Sequence, residues 1–135
     1  MNVSYQGKAP SKATSNSAAY DLTATHNCFL MPEAVVLIKV GFKVAIPPGY
    51  VGLISSRSGM ALKSGLFVLN APGIIDPDYR DEVGVILANI SEYAYTVRVG
   101  DRVAQFLIIK NEEISFVEEV LGETGRAGGF GSTGV

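Results

Sequence analysis

An all-β fold is the class that this chain predicts, and three features of the sequence support it. Apolar side chains alternate with other residues over positions 40–46 and again over 93–99, which is the two-residue period of a half-buried strand. Turn residues interrupt the chain roughly every 8–12 residues, as they do in β-sandwiches and barrels. No long window has the helical period, so helices are expected to contribute little.

Further strands are expected where short apolar runs end at turn residues. These runs cover residues 35–38, 51–55, 83–88, 103–109 and 115–120. The best candidate for a helix is one or two turns over residues 59–64. The runs at 35–38 and 106–109 are apolar on both faces, which fits either the core of a sandwich or burial by another subunit.

Composition indicates one soluble domain and excludes several classes of protein. The 135 residues are 47% hydrophobic and 18% charged, so the chain is not disordered, and a net charge of −2 argues against general nucleic-acid binding. The single Cys28 excludes an intramolecular disulfide and a cysteine-based zinc site, and the single His26 excludes a histidine-rich metal site. No run approaches the roughly 18–20 apolar residues of a membrane span, and no signal peptide is evident. A cytoplasmic or otherwise intracellular protein is therefore expected.

The glycine-rich segment at residues 122–135, GETGRAGGFGSTGV, has almost no side chain to bury. Ordering glycine is entropically costly, so this segment is expected to be mobile when alone. Its side chains nevertheless suit a nucleotide. Arg126 can pair with phosphate, Phe130 can stack on a base, and Ser132, Thr133 and main-chain amides can bind oxyanions. A frayed terminus is the alternative.

A dense polar cluster, residues 70–82, follows an apolar strand and holds four carboxylates within seven residues. A calcium loop of the EF-hand type fails, because Arg80 stands where a ligand is needed and Asp81 stands where the glycine is needed. Two isoleucines precede Asp76, so this carboxylate is expected to emerge from a buried strand. Rigid placement and partial desolvation there favour a general base.

Five segments of the chain resemble, in order, the five motifs of the homotrimeric dUTPases (dUTP diphosphatases). They are residues 18–22, 57–61, 70–82, 100–105 and 126–134. The resemblance implies a distorted jelly-roll or β-clip barrel with at most one short helix and a flexible C-terminal tail. It implies a β domain over residues 1–121 and a lid over residues 122–135 that covers a neighbouring subunit's site.

The same resemblance implies hydrolysis of dUTP to dUMP and pyrophosphate, by Mg²⁺-assisted attack of water on the α-phosphorus. Such an activity limits uracil incorporation into DNA and supplies dUMP for dTMP synthesis. Asp76 would be the general base, and the ring of Tyr79 would pack under the deoxyribose and exclude a 2′-hydroxyl. Asn70, with main-chain groups around Gly73 and Ile75, would bind uracil, since an asparagine amide both donates and accepts.

Phosphate binding and metal binding are implied for residues from the remaining motifs. Asp21 would reach Mg²⁺ through coordinated water, while the triphosphate holds most of the metal. Phe130 would cover the uracil. The phosphate ligands implied by the resemblance are Arg57, Ser58, Gly59, Gln105, Arg126, Gly131, Ser132 and Thr133.

The family shares each active site among three subunits, so a homotrimer that binds dUTP, and neither nucleic acid nor membrane, is implied. A dCTP deaminase, or a bifunctional deaminase and dUTPase of the same fold, is the alternative activity, and a nucleotide-binding relative without catalysis is a third. Two residues depart from the family pattern. Asp81 replaces a common glycine, and Leu69 replaces a small residue before Asn70, where it would narrow the base pocket.

Overall fold

The computed structural model describes residues 1–134, which contain eleven β-strands and one short helix. The helix is α1 (Ser58–Ser64). The strands are β1 (Tyr5–Gly7), β2 (Tyr20–Thr23), β3 (Cys28–Leu30), β4 (Val35–Lys39), β5 (Phe42–Val44), β6 (Tyr50–Ser55), β7 (Leu66–Val68), β8 (Gly73–Ile75), β9 (Gly84–Asn89), β10 (Tyr95–Val97) and β11 (Arg102–Lys110).

The strands pair antiparallel in four sheets. The largest has the order β2-β11-β6-β8, the second has the order β4-β9-β7, and two-stranded sheets join β1 to β5 and β10 to β3. These sheets confirm the all-β prediction. Within the described part of the chain they remain separate sheets and do not close into a single barrel, as is expected of a distorted jelly roll.

The core lies between the sheets and is almost wholly aliphatic. Its fully buried side chains come from three of the four sheets and include Leu22, Leu30, Ile38, Leu66, Val85, Val97 and Val103, and β5 adds the nearly buried Phe42 and Val44. At Gly52, in β6, the packing leaves no room for a side chain, since a Cβ would lie 2.9 Å from the Phe106 ring. The central strands are thereby held rigid, and the ends of β6 and β8 become fixed platforms for the residues that follow them.

Most predicted elements form, with shifted ends. The strand predicted over residues 40–46 shortens to β5, because a turn at Gly41 with a φ of 64° interrupts the alternation. The strand predicted over 93–99 shortens to β10, which ends at Val97 because the next residues form a turn in which the Asp101 N–H bonds the Arg98 carbonyl. The predicted helix is α1. It ends at Gly65, whose left-handed φ of 66° lets its N–H bond the Ala61 carbonyl.

The strand predicted over residues 115–120 is wrong. No helix or strand occurs among residues 111–134, and Phe116 and Val120 are more than nine-tenths exposed. A strand needs a partner for its main-chain groups, and this segment lies beyond the last pairing of β11, at Lys110. The proposed boundary between residues 121 and 122 stays a prediction.

Asn89 is a buried polar residue whose side-chain amide forms hydrogen bonds through both its nitrogen and its oxygen. Its amide donates to the carbonyl oxygens of Leu30, Met31 and Tyr93, and its Oδ1 accepts from the N–H and the hydroxyl of Ser91. These bonds join the end of β9 to β3 and to the turn before β10. Among residues 1–134, no helix has the length and apolarity needed to cross a membrane.

Candidate active site

Asp76 lies at the mouth of a cleft of about 290 Å³. The buried Ile75 ends β8, and the exposed Asp76 follows at once, where its carbonyl accepts the N–H of Tyr79 at 3.2 Å. The cleft is also lined by Leu37, Ile54, Val68, Asn70, Gly73, Ile74, Ile75, Tyr79, Glu82, Gly84 and Ile86. An apolar cavity with a few convergent polar groups is the usual form of a small-molecule site.

Asn70 lies in the turn between β7 and β8, beside Gly73. The hydroxyl of Ser56 accepts the N–H of Val68 at 2.8 Å, which ties β7 to the segment after β6. A Cβ at Gly73 would lie 3.2 Å from Ile54 Cβ and 3.5 Å from the amide nitrogen of Asn70. A side chain at position 73 would therefore crowd Ile54, and it would only touch the Asn70 amide at an ordinary contact distance, so Gly73 and this amide lie side by side on the cleft wall.

Tyr79 is held on the same wall by two linked hydrogen bonds. Its hydroxyl donates to the Glu82 carbonyl at 2.9 Å, and the Glu82 carboxylate accepts the N–H of Gly41 at 2.9 Å. The ring is thus fixed at its polar end, and its remaining surface faces the cleft. The sequence assigned no role to Glu82, because its partner at Gly41 is distant along the chain.

A second cavity is larger, with a volume of about 400 Å³, but it lacks the polar groups of the cleft at Asp76. Its lining, which includes Tyr5, Tyr20, Phe42 and Phe106, contains no charged side chain among the described residues. The cleft at Asp76 is smaller, but it alone of these two cavities holds a carboxylate and an amide.

A charged cluster at the other end of β6 contains three of the predicted residues. They are Asp21, Arg57 and Gln105. Gln105 pairs with Asp21 on one side and with Ser55 on the other, so Asp21, Gln105 and Ser55 lie in one row across the sheet. The Asp21 side chain is only 6% exposed and has Arg57 Nε at 3.5 Å. Arg102, to which the sequence assigned no role, lies at 3.3 Å from the same carboxylate.

Ser58 and Gly59 form the first turn of α1, directly after Arg57. No side chain caps this end of the helix, and both residues are exposed. Their main-chain N–H groups have no carbonyl partner within the helix and point to its surface, as first-turn amides do. They are free to bind an oxyanion, and a Cβ at Gly59 would meet nothing within 4 Å.

Asp76 and Arg57 lie at opposite ends of β6 within one chain. Because Ile75 pairs with Gly52, Asp76 lies near the start of β6, whereas Arg57 follows the end of β6. Five residues of extended chain between Gly52 and Arg57 span roughly 17 Å. Groups that act on one phosphoryl centre must approach it to about 3–3.5 Å. The structure therefore brings Asn70, Asp76 and Tyr79 together on one cleft, but sets Asp76 apart from Arg57 and Ser58. Asn70 lies on the side of the cleft nearer to Arg57, because Val68, two residues before it, bonds Ser56.

The glycine-rich tail stands apart from both clusters. Arg126, Phe130, Ser132 and Thr133 are exposed, and no residue of the tail up to 134 lines the cleft. The described contacts of this segment are local, such as the hydroxyl of Ser132 on the Ala127 carbonyl at 3.3 Å. Val135 lies outside the described residues.

The two departures from the family pattern disturb the cleft little. Among described non-glycine residues, positive φ occurs at Glu33 and Phe130, so Asp81 adopts an ordinary backbone and bears no left-handed strain. Leu69 is half exposed and does not line the cleft, so it does not narrow this cleft within one chain.

The acidic residues are arranged to assist a metal ion that is bound mainly by the substrate, and not to coordinate one by themselves. No group of three or more His, Cys, Asp or Glu side chains in residues 1–134 could hold an ion. Asp21 has two arginine neighbours, which disfavour direct coordination, but its buried Oδ1 has no hydrogen-bond partner. That oxygen can accept a hydrogen bond from a metal-bound water, so Asp21 fits an outer-sphere role.

Comparison with known proteins identifies the family. The family model for dUTPase matches residues 5–134. A deoxyuridine 5'-triphosphate nucleotidohydrolase of Helicobacter pylori is 44% identical over 128 residues, covering 93% of this chain and 88% of the relative. One from Rickettsia bellii is 46% identical over 133 residues, covering 96% and 89%. A solved mutant dUTPase of Staphylococcus bacteriophage 80alpha, with dUpNHpp, superposes with a TM-score of 0.86 at 27% identity, covering 99% of both chains.

Proposed function

Since this chain belongs to the dUTPase family and is an enzyme of the dUTP diphosphatase type, we propose that it releases dUMP and pyrophosphate by attack of water on the α-phosphorus of dUTP. One observation carries the assignment of residues. Asn70, Asp76 and Tyr79, which come from one continuous segment, line a single cleft. In dUTP, uracil, deoxyribose and α-phosphate are likewise adjoining groups, for which we assign Asn70, Tyr79 and Asp76 in that order.

The cleft has room for the nucleoside and not for the whole substrate. Its volume of about 290 Å³ lies at the lower end of the range of roughly 300–1,000 Å³ for small-molecule pockets. The amide of Asn70 and the main chain around Gly73 and Ile75 bind the uracil edge. The ring of Tyr79 lies under the sugar and rejects a 2′-hydroxyl. The triphosphate then extends past Asp76 towards solvent.

Asp76 is the general base in this proposal. Its carboxylate is exposed, so it can hold a water molecule, while its backbone is fixed by β8 and by the turn to Tyr79. It takes a proton from the water that attacks the α-phosphorus, and the pyrophosphate leaves on the opposite side. When bound, Mg²⁺ supplies charge neutralisation on the phosphate oxygens.

The phosphate ligands come from other copies of the chain. Arg57, which Ser58 and Gly59 follow, lies roughly 17 Å along β6 from Gly52, the partner of Ile75, and Gln105, opposite Ser55, lies roughly 10 Å along it. The tail does not reach the cleft. A homotrimer removes the difficulty, with the second cluster of one subunit and the tail of another meeting the cleft of the first. Around the cleft, Leu37 and Ile74 are more than half exposed, and an apolar rim of this kind suits coverage by another subunit.

The tail acts as the lid of this shared site. Phe130 covers the uracil, and Arg126, Gly131, Ser132 and Thr133 close on the phosphates and exclude bulk water. A segment that must open for product release cannot be packed permanently, which agrees with its exposure in the isolated chain. In the cell, this reaction would lower the dUTP level and so limit the incorporation of uracil into DNA. It would also supply dUMP for dTMP synthesis.

A substrate panel tests the proposal. Pyrophosphate release is measured from dUTP, dCTP, dTTP and UTP, each with Mg²⁺ and with EDTA, and ammonia release is measured from dCTP. We expect turnover of dUTP alone, and only with Mg²⁺. Equal rates on dCTP or UTP would contradict the specificity assigned to Asn70 and Tyr79, and ammonia from dCTP would reassign the chain to the deaminases.

A further inference from the structure

The carboxylate of Asp21 is shared by two arginines that bind it differently. Arg102 Nη1 donates to Oδ2 at 3.3 Å, whereas Arg57 Nε stands 3.5 Å from Oδ1 without completing a hydrogen bond. Arg57 instead donates from Nη1 to the main-chain carbonyl of Arg102 at 3.1 Å. Arg102 therefore contacts both other members of the cluster, one through its side chain and one through its backbone.

An irregularity in β11 places the Arg102 side chain beside Asp21. Gln105 pairs with Asp21, so a regular strand would turn residue 102, three positions earlier, to the opposite face. The register shifts between Arg102 and Ala104, and such a bulge reverses the alternation and re-aims the side chain. Val103 and Ala104 are both buried as a result.

Because Arg102 also binds the Asp21 carboxylate, the ion pair between Arg57 and Asp21 stays incomplete. A carboxylate and an arginine tend to close into a bidentate pair, with two parallel N–H to oxygen bonds. Here Arg102 already donates to Oδ2 and lowers the demand of Asp21 for a second cation, and the contact of Arg57 with Oδ1 stays open. The guanidinium of Arg57 thus lies near Asp21 but does not form a hydrogen-bonded ion pair with it. The Arg57 side chain remains 23% exposed, at the start of α1.

We propose that Arg102 is a positioning residue that keeps Arg57 available for the triphosphate by preventing its closure on Asp21. This inference rests on the proposed function of Arg57 as a phosphate ligand. Without the Arg102 side chain, the buried Asp21 carboxylate would have one cationic neighbour left, and a buried charge recruits the nearest partner. Arg57 would then turn onto Asp21 and away from the phosphates.

Binding measurements separate this role from a structural one. Calorimetric titrations in EDTA use two probes, dUpNHpp and dUMP, against the parent protein, Arg102→Ala, Arg102→Lys and the exposed control Arg98→Ala. Loss of a charge-assisted hydrogen bond predicts that Arg102→Ala weakens dUpNHpp binding about 10–100-fold and dUMP binding far less. Arg102→Lys restores most of the affinity, since an ammonium also neutralises Asp21, and Arg98→Ala changes neither probe.

The double variant Asp21→Asn with Arg102→Ala decides the mechanism. With the carboxylate gone, Arg57 has nothing to close on, so dUpNHpp affinity should recover towards the parent value. An unchanged loss in the double variant, an equal loss for both probes in Arg102→Ala, or no loss at all would overturn the proposal. Should Arg102→Ala lower the melting temperature, Arg102→Gln, which keeps the stem, takes its place. Failure of the parent protein to hydrolyse dUTP would refute the proposed function and leave these binding comparisons intact.

Discussion

The hydroxyl of Tyr79 donates a 2.9 Å hydrogen bond to the main-chain carbonyl of Glu82, across the turn that begins at Asp76. The Glu82 carboxylate is itself held by the N–H of Gly41. Gly41 has a φ of 64°, and a Cβ there would lie 2.8 Å from Thr25 Cγ2, so the donor is fixed by a turn that suits glycine. The ring that we assign to sugar discrimination thus depends on a strand connection remote in sequence.

Replacing Tyr79 should relax discrimination against a 2′-hydroxyl. Tyr79→Ala removes the ring, so the ratio of kcat/KM for UTP to that for dUTP should rise roughly 10–200-fold, the range for steric discrimination in a pocket. Tyr79→Phe keeps the ring and loses only the bond to Glu82, so its ratio should stay nearer the parent value. Steady-state assays on both nucleotides measure this. A ratio unmoved in Tyr79→Ala would place the sugar elsewhere.

Asp76→Asn should abolish most of the turnover while keeping the shape of the site. An amide cannot accept the proton from water, so we expect kcat to fall roughly 10²–10⁴-fold, the usual contribution of a general base. Asp78→Asn is the matched control, because Asp78 is exposed and does not line the cleft. Binding of dUpNHpp should survive in both variants. Full activity in Asp76→Asn would assign the base to another group.

Mixing two inactive variants tests whether sites are shared between subunits. Asp76→Asn and Arg126→Ala should each be poorly active alone. After unfolding and refolding together in equal amounts, about a quarter of the sites of a trimeric ring should combine an intact Asp76 with an intact Arg126 from another chain. Pyrophosphate release should reappear at about that fraction. Without recovery, and with mixed trimers shown by native mass spectrometry, a single chain would supply both residues.

Deleting residues 125–135 should leave a folded oligomer that barely turns over dUTP. The tail makes no described hydrogen bond with the core, so the melting temperature and the number of subunits in solution should match those of the full chain. Activity should fall because the lid no longer excludes water or supplies Arg126. Full activity of the truncated protein would contradict the lid proposal and indicate that the segment is a frayed terminus.

Asn89→Ala should destabilise the fold without touching the site. The change removes the Asn89 side-chain bonds to the Leu30 and Met31 carbonyls and to the Ser91 N–H, whereas the Ser91 hydroxyl and the Tyr93 carbonyl remain bonded to each other. An unsatisfied buried group costs about 1–3 kcal/mol, so the free energy of unfolding should drop by roughly 2–4 kcal/mol. Urea denaturation at one fixed protein concentration measures this. Asn111→Ala, at an exposed position, serves as control, and equal losses in the two variants would show that the network contributes nothing.

Local pattern was enough to predict much of the fold. The apolar runs that became β4, β6, β9 and β11 are bounded by turn residues, and packing only moved their ends. The run at 115–120 has the same pattern and remains unpaired. Alternation records which side chains can be buried, but pairing also requires a neighbouring strand, and no local signal supplies one.

The sequence by itself determined the all-β class, the family and the chemical groups offered to a nucleotide, because residue type, period and motif order are properties of the chain. Only the tertiary structure decided which groups meet. The register of β6 and β8 sets Asp76 and Arg57 apart, and the bulge in β11 turns Arg102 onto Asp21. Register depends on packing across strands, where a shift of one residue exchanges the two faces of a sheet.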